Sequence, residues 1–148
     1  MVFAICLPNT HVTLLESIGK KARFLEETAK ALGLKNVTVL AERAEVEGAA
    51  DSAYREFFDM VTARAVAALP TLLEITIPFV EVGGTLLAMK GERALDELST
   101  AKNALKKLEA EHIETKRQPT TTLLRFRKTH VTPARYPRRT GEPKRKPL

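Results

Sequence analysis

The stretch from Val12 to Leu25 constrains the fold most. A short apolar run, Val12 to Leu15, stops on Glu16. A helical pattern begins at once: Ile18, Ala22, Leu25, Ala29 and Leu32 recur at spacings of three and four. A strand followed at once by a helix is the first step of an alternating pattern. Ser17 occupies the place of an N-cap, where its hydroxyl would satisfy a free amide of the first turn.

The rest of the chain repeats this alternation. Strands are expected at 11–15, 36–41, 57–63 and 85–89, with helices at 17–32, 69–80 and 92–111. Gly33 is placed to end the first full helix. Residues 46–56 are small and charged and read as a surface loop or short helix. Pro70 suits a first helical turn and Pro78 limits that helix. Glu81-Val-Gly83-Gly84 reads as a turn. Two last strands, 113–117 and 122–131, are expected to pair antiparallel; Leu124 and Phe126 alternate with Arg125 and Arg127. Beyond Thr132, four prolines among Arg and Lys argue for an extended tail, or a loop that orders on a partner. The expected architecture is a mostly parallel sheet with helices on both faces and an antiparallel C-terminal hairpin. It divides into a body over 1–131 and a basic, Pro-rich tail over 132–148.

Such sheets bind ligands outside the carboxyl ends of their strands. Glu16, Glu45, Arg64 and Lys90 each follow a different expected strand. An acid after the second strand of a nucleotide-binding sheet accepts hydrogen bonds from ribose hydroxyls, and Glu16 suits that role. An ordinary turn ending on a solvated acid accounts for the same residue taken alone.

Charge is distributed unevenly along the 148 residues. Residues 1–114 carry 13 basic against 17 acidic side chains, a balance of −4. Residues 115–148 carry 11 basic side chains against Glu142 alone, a balance of +10. A basic end on an acidic body points to a polyanionic partner, with nucleic acid first and an anionic membrane second. No amphipathic helix with a bulky apolar face accompanies the basic residues, which demotes the membrane. No apolar run is long enough to span a bilayer, and the apolar start lacks the basic region of a signal peptide. The single Cys6 allows no internal disulfide and no metal pattern, fits a reducing cytoplasm, and reads as a small core residue.

Five motifs, in this order, carry a family resemblance: Thr13-Leu-Leu-Glu-Ser-Ile-Gly-Lys-Lys-Ala-Arg-Phe-Leu25; Arg43-Ala44-Glu45; Thr62-Ala-Arg-Ala65; Leu87-Ala-Met-Lys-Gly91; and Tyr136-Pro-Arg-Arg-Thr-Gly-Glu-Pro-Lys-Arg-Lys-Pro-Leu148. The chain resembles the RsmG family, also called glucose-inhibited division protein B, whose members are small-subunit ribosomal RNA guanine-N7 methyltransferases. The resemblance implies a Rossmann-like S-adenosylmethionine-dependent methyltransferase fold. It also marks a departure. Family members carry, ahead of these motifs, a first strand and a Gly-rich loop for the methionine end of the cofactor. The segment Val2-Phe-Ala-Ile-Cys-Leu-Pro8 resembles the helix after that loop, so the chain is expected to match the C-terminal part of the enzyme.

The resemblance further implies roles. Glu16 would bind the ribose of S-adenosyl-L-methionine, with Ser17 and Ile18 along the same edge. Ala44 and Glu45 match adenine contacts, and Arg64 matches a cofactor-site position. For Ile18 the competing role is plain core; for Arg64 it is an ion pair with Asp59 or Glu74. Lys90 is divided between RNA phosphate or substrate orientation and a structural ion pair. The expected RNA contacts are Lys90, Arg125, Arg127, Lys128, Arg135, Arg138, Arg139, Lys144, Arg145 and Lys146, with Tyr136 placed to stack on a base. Expected partners are 16S ribosomal RNA or the small ribosomal subunit, in the cytoplasm, with neither membrane nor metal. Two functions compete: methylation of guanine N7, and a non-catalytic remnant that binds RNA but not the cofactor. Loss of a central strand would expose strand edges and weaken the isolated chain.

Overall fold

The computed structural model describes residues 1–148. They form two compact units, Met1–Ala44 and Glu45–Leu148. The alternation of strands and helices is as expected, in an α/β fold with parallel strand pairs and an antiparallel C-terminal hairpin.

The first unit holds helix α1 (Val2–Cys6), strand β1 (Val12–Leu15), helix α2 (Gly19–Ala31) and strand β2 (Val37–Leu40). β1 and β2 pair in parallel, Val12 opposite Val37 through Leu15 opposite Leu40. Asn36 holds the N-terminal segment: its Nδ2 donates to the carbonyls of Ala4 and Thr10 at 3.1 and 2.9 Å. Gly33, with φ of 66°, ends α2 in the left-handed conformation that glycine adopts without penalty. Ser17 is not the cap. The position before α2 is Ile18, with no side-chain cap; the carboxylate of Glu16 takes the Ile18 amide instead. Cys6, expected in the core, is exposed.

The second unit starts on the short helix α3 (Ala44–Glu47), which spans the boundary. Strand β3 (Phe58–Arg64) pairs in parallel with β4 (Val80–Lys90). β4 then pairs antiparallel with β6 (Thr122–Lys128), and β6 with β5 (Ala110–Arg117). The sheet order is β3-β4-β6-β5. Glu81–Gly84, expected as a turn, belongs to β4, because a register shift between Phe58 and Met60 absorbs the extra residues. Gly84 is required there: a Cβ would stand 2.9 Å from the Asp59 carbonyl oxygen.

Helix α4 (Leu69–Thr76) is buried on almost every face, and a 3-10 turn (Ile77–Phe79) follows where Pro78 removes a backbone donor. The single helix expected over 92–111 is two, α5 (Ala94–Thr100) and α6 (Lys102–Lys107). Ser99 and Thr100 turn their hydroxyls back onto the carbonyls of Asp96 and Glu97, a local bond that competes with helix continuation. Leu69, Leu72, Leu73 and Ile77 join Leu86, Leu108, Leu124 and Phe126 in one apolar core. Each such fully buried side chain contributes about 2 kcal/mol.

Residues 132–148 are not an extended tail. They fold onto the second unit and include a helical turn, α7 (Glu142–Arg145). Tyr136 is buried in the core, the Thr71 hydroxyl donates to the Pro143 carbonyl at 3.0 Å, and Leu148 packs on the same cluster. None of the helices is long and apolar enough to cross a membrane.

Candidate functional site

Glu16 closes β1. Its amide continues the ladder to Leu40, and its Oε1 accepts the Ile18 amide at 2.8 Å. The residue is half-buried, so the carboxylate is held in one orientation with its second oxygen free for a ligand hydroxyl. Ser17 and Ile18 lie exposed beside it. Ile18 is 51% exposed, so it is not a core residue of this unit. Ala44 opens α3, and Glu45 follows it, both half-buried.

In the second unit, Glu45 Oε1 accepts the Gly141 amide at 3.0 Å, so the C-terminal segment fixes that carboxylate while its other oxygen stays available. Arg64 ends β3 opposite Met89 of β4. It is exposed and pairs with neither Asp59 nor Glu74. Lys90 ends β4. Its Nζ bonds Glu97 at 2.7 Å and the Ala67 carbonyl at 2.7 Å, which makes it the structural ion pair of the two roles open to it. Glu97 also takes the Leu69 amide at 2.7 Å, so this pair anchors the start of α4. Arg64, Lys90 and Glu97 line a cleft of about 500 Å³ at the carboxyl ends of β3 and β4.

The expected RNA contacts fall into three groups. Arg139, Lys144, Arg145 and Lys146 are exposed on the folded C-terminal segment, and Arg135 lies over the Tyr136 ring, 5.1 Å from its centroid. Arg125 and Arg127 are exposed on β6 but pair with Glu114 and Glu111 of β5. Lys128 and Arg138 point inward. Lys128 follows the inward alternation of Leu124 and Phe126 and is wholly buried, donating to Glu56 at 2.7 Å and to the Ile77 carbonyl at 3.3 Å. It is removed from the RNA set. Arg138 makes a two-pronged pair with the buried Glu74, Nε to Oε1 at 2.8 Å and Nη2 to Oε2 at 2.6 Å. Tyr136 is likewise buried, so it is not free to stack on a base.

These inward residues clamp the C-terminal segment. Arg55 donates to the carbonyls of Gly48, Tyr136 and Thr132 at 2.7, 2.8 and 2.6 Å. Glu56 accepts from Lys128 and from the Thr132 amide. Glu56 has φ of 52°, a left-handed backbone that costs about 1–2 kcal/mol and that these partners hold in place. Burial works to raise the Glu56 pKa, but hydrogen bonds from Lys128 and Thr132, with the charges of Lys128 and Arg55, outweigh it and hold the carboxyl below its ordinary value. Burial lowers the pKa of Lys128 against the opposing pull of Glu56. The Glu74 hydrogen bond raises that of Arg138.

Sequence reasoning passed over Arg55 and Glu56 and offered Glu74 only as a partner of Arg64, because a charged loop and an apolar helix gave no sign of their true partners 64 to 81 residues away. One signal was present: Glu74 is the one charged residue in an otherwise uncharged helix, and a buried carboxylate requires a cation.

A family model described as GidB, rRNA small subunit methyltransferase G, matches residues 1–124. The ribosomal RNA small subunit methyltransferase G of Lactobacillus delbrueckii subsp. bulgaricus is 43% identical over 150 residues, covering 97% of this chain and 62% of that protein. That of Geobacillus thermodenitrificans is 40% identical over 150 residues, covering 97% and 63%. The chain thus spans under two thirds of the length of these relatives. Among solved structures, a 16S rRNA (adenine(1408)-N(1))-methyltransferase from Catenulisporales acidiphilia superimposes with a TM-score of 0.69 at 15% identity, covering 86% of this chain and 77% of that one. A ribosomal protein L11 methylase from Lactobacillus delbrueckii subsp. bulgaricus gives 0.64 at 16%, covering 87% and 65%. At such identities these two structures show a shared methyltransferase fold.

Proposed function

The chain belongs to the GidB family, rRNA small subunit methyltransferase G, and from that membership we propose that it serves methylation of guanine N7 in 16S ribosomal RNA, in the cytoplasm. The methyl donor is S-adenosyl-L-methionine. The observation that carries the reading is the family match over residues 1–124, reinforced by the state of Glu16. That acid stands at a strand end with one oxygen held by a backbone amide and the other free, which suits a ribose hydroxyl.

Ser17 and Ile18 border the ribose, Ala44 and Glu45 take the adenine, and Arg64 completes the set of cofactor residues. The small side chain of Ala44 lets a purine approach, and the free oxygen of Glu45 accepts its amino group. When bound, the cofactor supplies a sulfonium-activated methyl group. Guanine N7 has a free lone pair, so no proton has to leave before attack, and the chain needs no general base. Its residues act by holding nucleophile and donor in line, a contribution of proximity and orientation. Arg135, Arg139, Lys144, Arg145 and Lys146 give phosphate contacts, and binding is therefore salt-dependent. Arg125 and Arg127 join them once their surface carboxylate partners, weakly held in water, let go.

Calorimetric titration of the 148-residue chain with S-adenosylhomocysteine tests the reading. Binding is expected, and Glu16→Ala or Glu45→Ala should weaken it at least tenfold. A folded chain that binds ribosomal RNA but shows no heat with the ligand would overturn the cofactor assignment and leave RNA binding as its function.

A further inference from the structure

The cleft at the carboxyl ends of β3 and β4 contains more than the Lys90–Glu97 pair. Its wall includes Arg93, just ahead of α5, and Thr120 and Thr121 from the β5–β6 hairpin. The strand registers explain why they meet. Arg64 lies opposite Met89, and the next residue of β4, Lys90, lies opposite Thr122 of β6. The hairpin loop therefore closes one side of the cleft, pinned by the Gln118 amide on the Thr121 carbonyl at 2.8 Å. Ala65, with φ of 53°, turns the chain out of β3 on the other side.

Charge in the cleft is not balanced. Lys90 and Glu97 neutralise each other. Neither Arg64 nor Arg93 takes a carboxylate partner, although Glu92 stands on the same wall. With Arg64 assigned to the cofactor, the Arg93 guanidinium and two hydroxyls still outnumber the one free carboxylate, and such a donor-rich surface has the chemistry that receives a phosphate oxyanion. At about 500 Å³ the cleft has the size of an ordinary small-ligand site.

We propose that this cleft grips a backbone phosphodiester of the substrate RNA next to the target guanosine, with Arg93 as the cation and the hydroxyls of Thr120 and Thr121 as donors, while Arg64 on the same wall stays with the cofactor set. The inference rests on the RNA-methylating reading and adds a substrate contact well separated in sequence from the basic C-terminal segment. Lys90 is then a positioning residue: its bond to Ala67 and its pairing with Glu97 hold the cleft wall while Arg93 meets the ligand.

The test is fluorescence anisotropy of a single-stranded oligonucleotide of 16S ribosomal RNA sequence across a salt series, with the wild-type chain, Arg93→Gln, and the double variant Thr120→Val/Thr121→Val. Arg93 is exposed, so its variant keeps the fold, checked by circular dichroism. Arg93→Gln should weaken binding several-fold and flatten the log-log salt slope by about 0.7, the value for one lost single-strand phosphate contact. The threonine variant should weaken binding less and leave the slope in place. A wild-type chain that binds the oligonucleotide and an Arg93→Gln variant with the same affinity and slope would overturn the cleft assignment while the RNA reading stands. A wild-type chain with no RNA affinity removes both. An Arg93→Gln variant that keeps its RNA slope but loses S-adenosylhomocysteine would hand the cleft to the cofactor's carboxylate, and the phosphodiester assignment would be wrong.

Discussion

The two compact units bury very different side chains. In Met1–Ala44 the buried apolar residues are Ala4, Ala22 and Ala29, while Val2, Ile18, Phe24 and Leu32 are more than half exposed. In Glu45–Leu148 a core of leucines, Ile77, Phe126 and Tyr136 is close to sealed. Both are α/β, and both begin from a parallel strand pair. The difference is in what covers the sheet. A two-stranded sheet is marginal in water, whereas four strands with α4 and the C-terminal segment packed over them make an independent core. Stability therefore resides in the second unit, and the first is a lightly supported frame.

The contrast is broken most directly by paired truncations. Phe126→Ala should cost about 3–5 kcal/mol, since it empties a fully buried site, while Phe24→Ala, at 65% exposure, should change stability by no more than about 0.5 kcal/mol. Urea denaturation of both variants measures this, and equal losses would abolish the distinction. Next in size is the clamp. Glu74→Ala leaves Arg138 without its two-pronged partner and should cost about 3 kcal/mol. Limited proteolysis should then cut within residues 132–148; resistance equal to wild type would show that Arg55, Glu56 and the packing of Tyr136 and Leu148 hold the segment without Glu74.

A smaller effect sharpens the same comparison through pH. Glu56 has a folded-state pKa below its ordinary value, so the stability it adds is present above the ordinary carboxylate pKa and is lost as pH falls through the folded value. Thermal melts taken downward from neutral pH should show this loss in wild type and a flatter profile in Glu56→Gln. A profile unchanged by the substitution would place the acid sensitivity elsewhere. The smallest effect belongs to the first unit: Ser17→Ala should alter the melting temperature by less than about 1 °C, because the Ser17 hydroxyl caps nothing and Glu16 holds the turn. A larger drop would restore Ser17 as the cap.

The C-terminal segment shows why charge counts mislead about surfaces. Its basic residues read as one set in the sequence, yet the fold divides them. Arg139, Lys144, Arg145 and Lys146 face solvent, while Arg138 and, just upstream, Lys128 serve carboxylates that the chain supplies from far away. The alternation of β6 already placed Lys128 on the side of Leu124 and Phe126, but nothing local showed that Glu56 would meet it there.

What the sequence determined by itself is what local physics controls. Periodicity and turn residues gave β1, α2 and the antiparallel β5–β6 pair, and proline chemistry marked the start of α4 and the 3-10 turn that ends it at Thr76, four residues short of the expected 69–80 span. Glu16 was legible because a strand, an acid and a helix follow one another without a gap. Tertiary structure alone decided the long-range pairs: Glu74 with Arg138, Glu56 with Lys128, Glu45 with Gly141, and the wall that brings Arg93 to Thr120 and Thr121. A buried charge takes whatever partner the packed chain brings within about 3 Å, and that choice depends on the whole sheet order. Proline-rich composition likewise excludes long helices without excluding packing, so residues 132–148 were free to close over α4 once Glu74 and Arg55 were there to hold them.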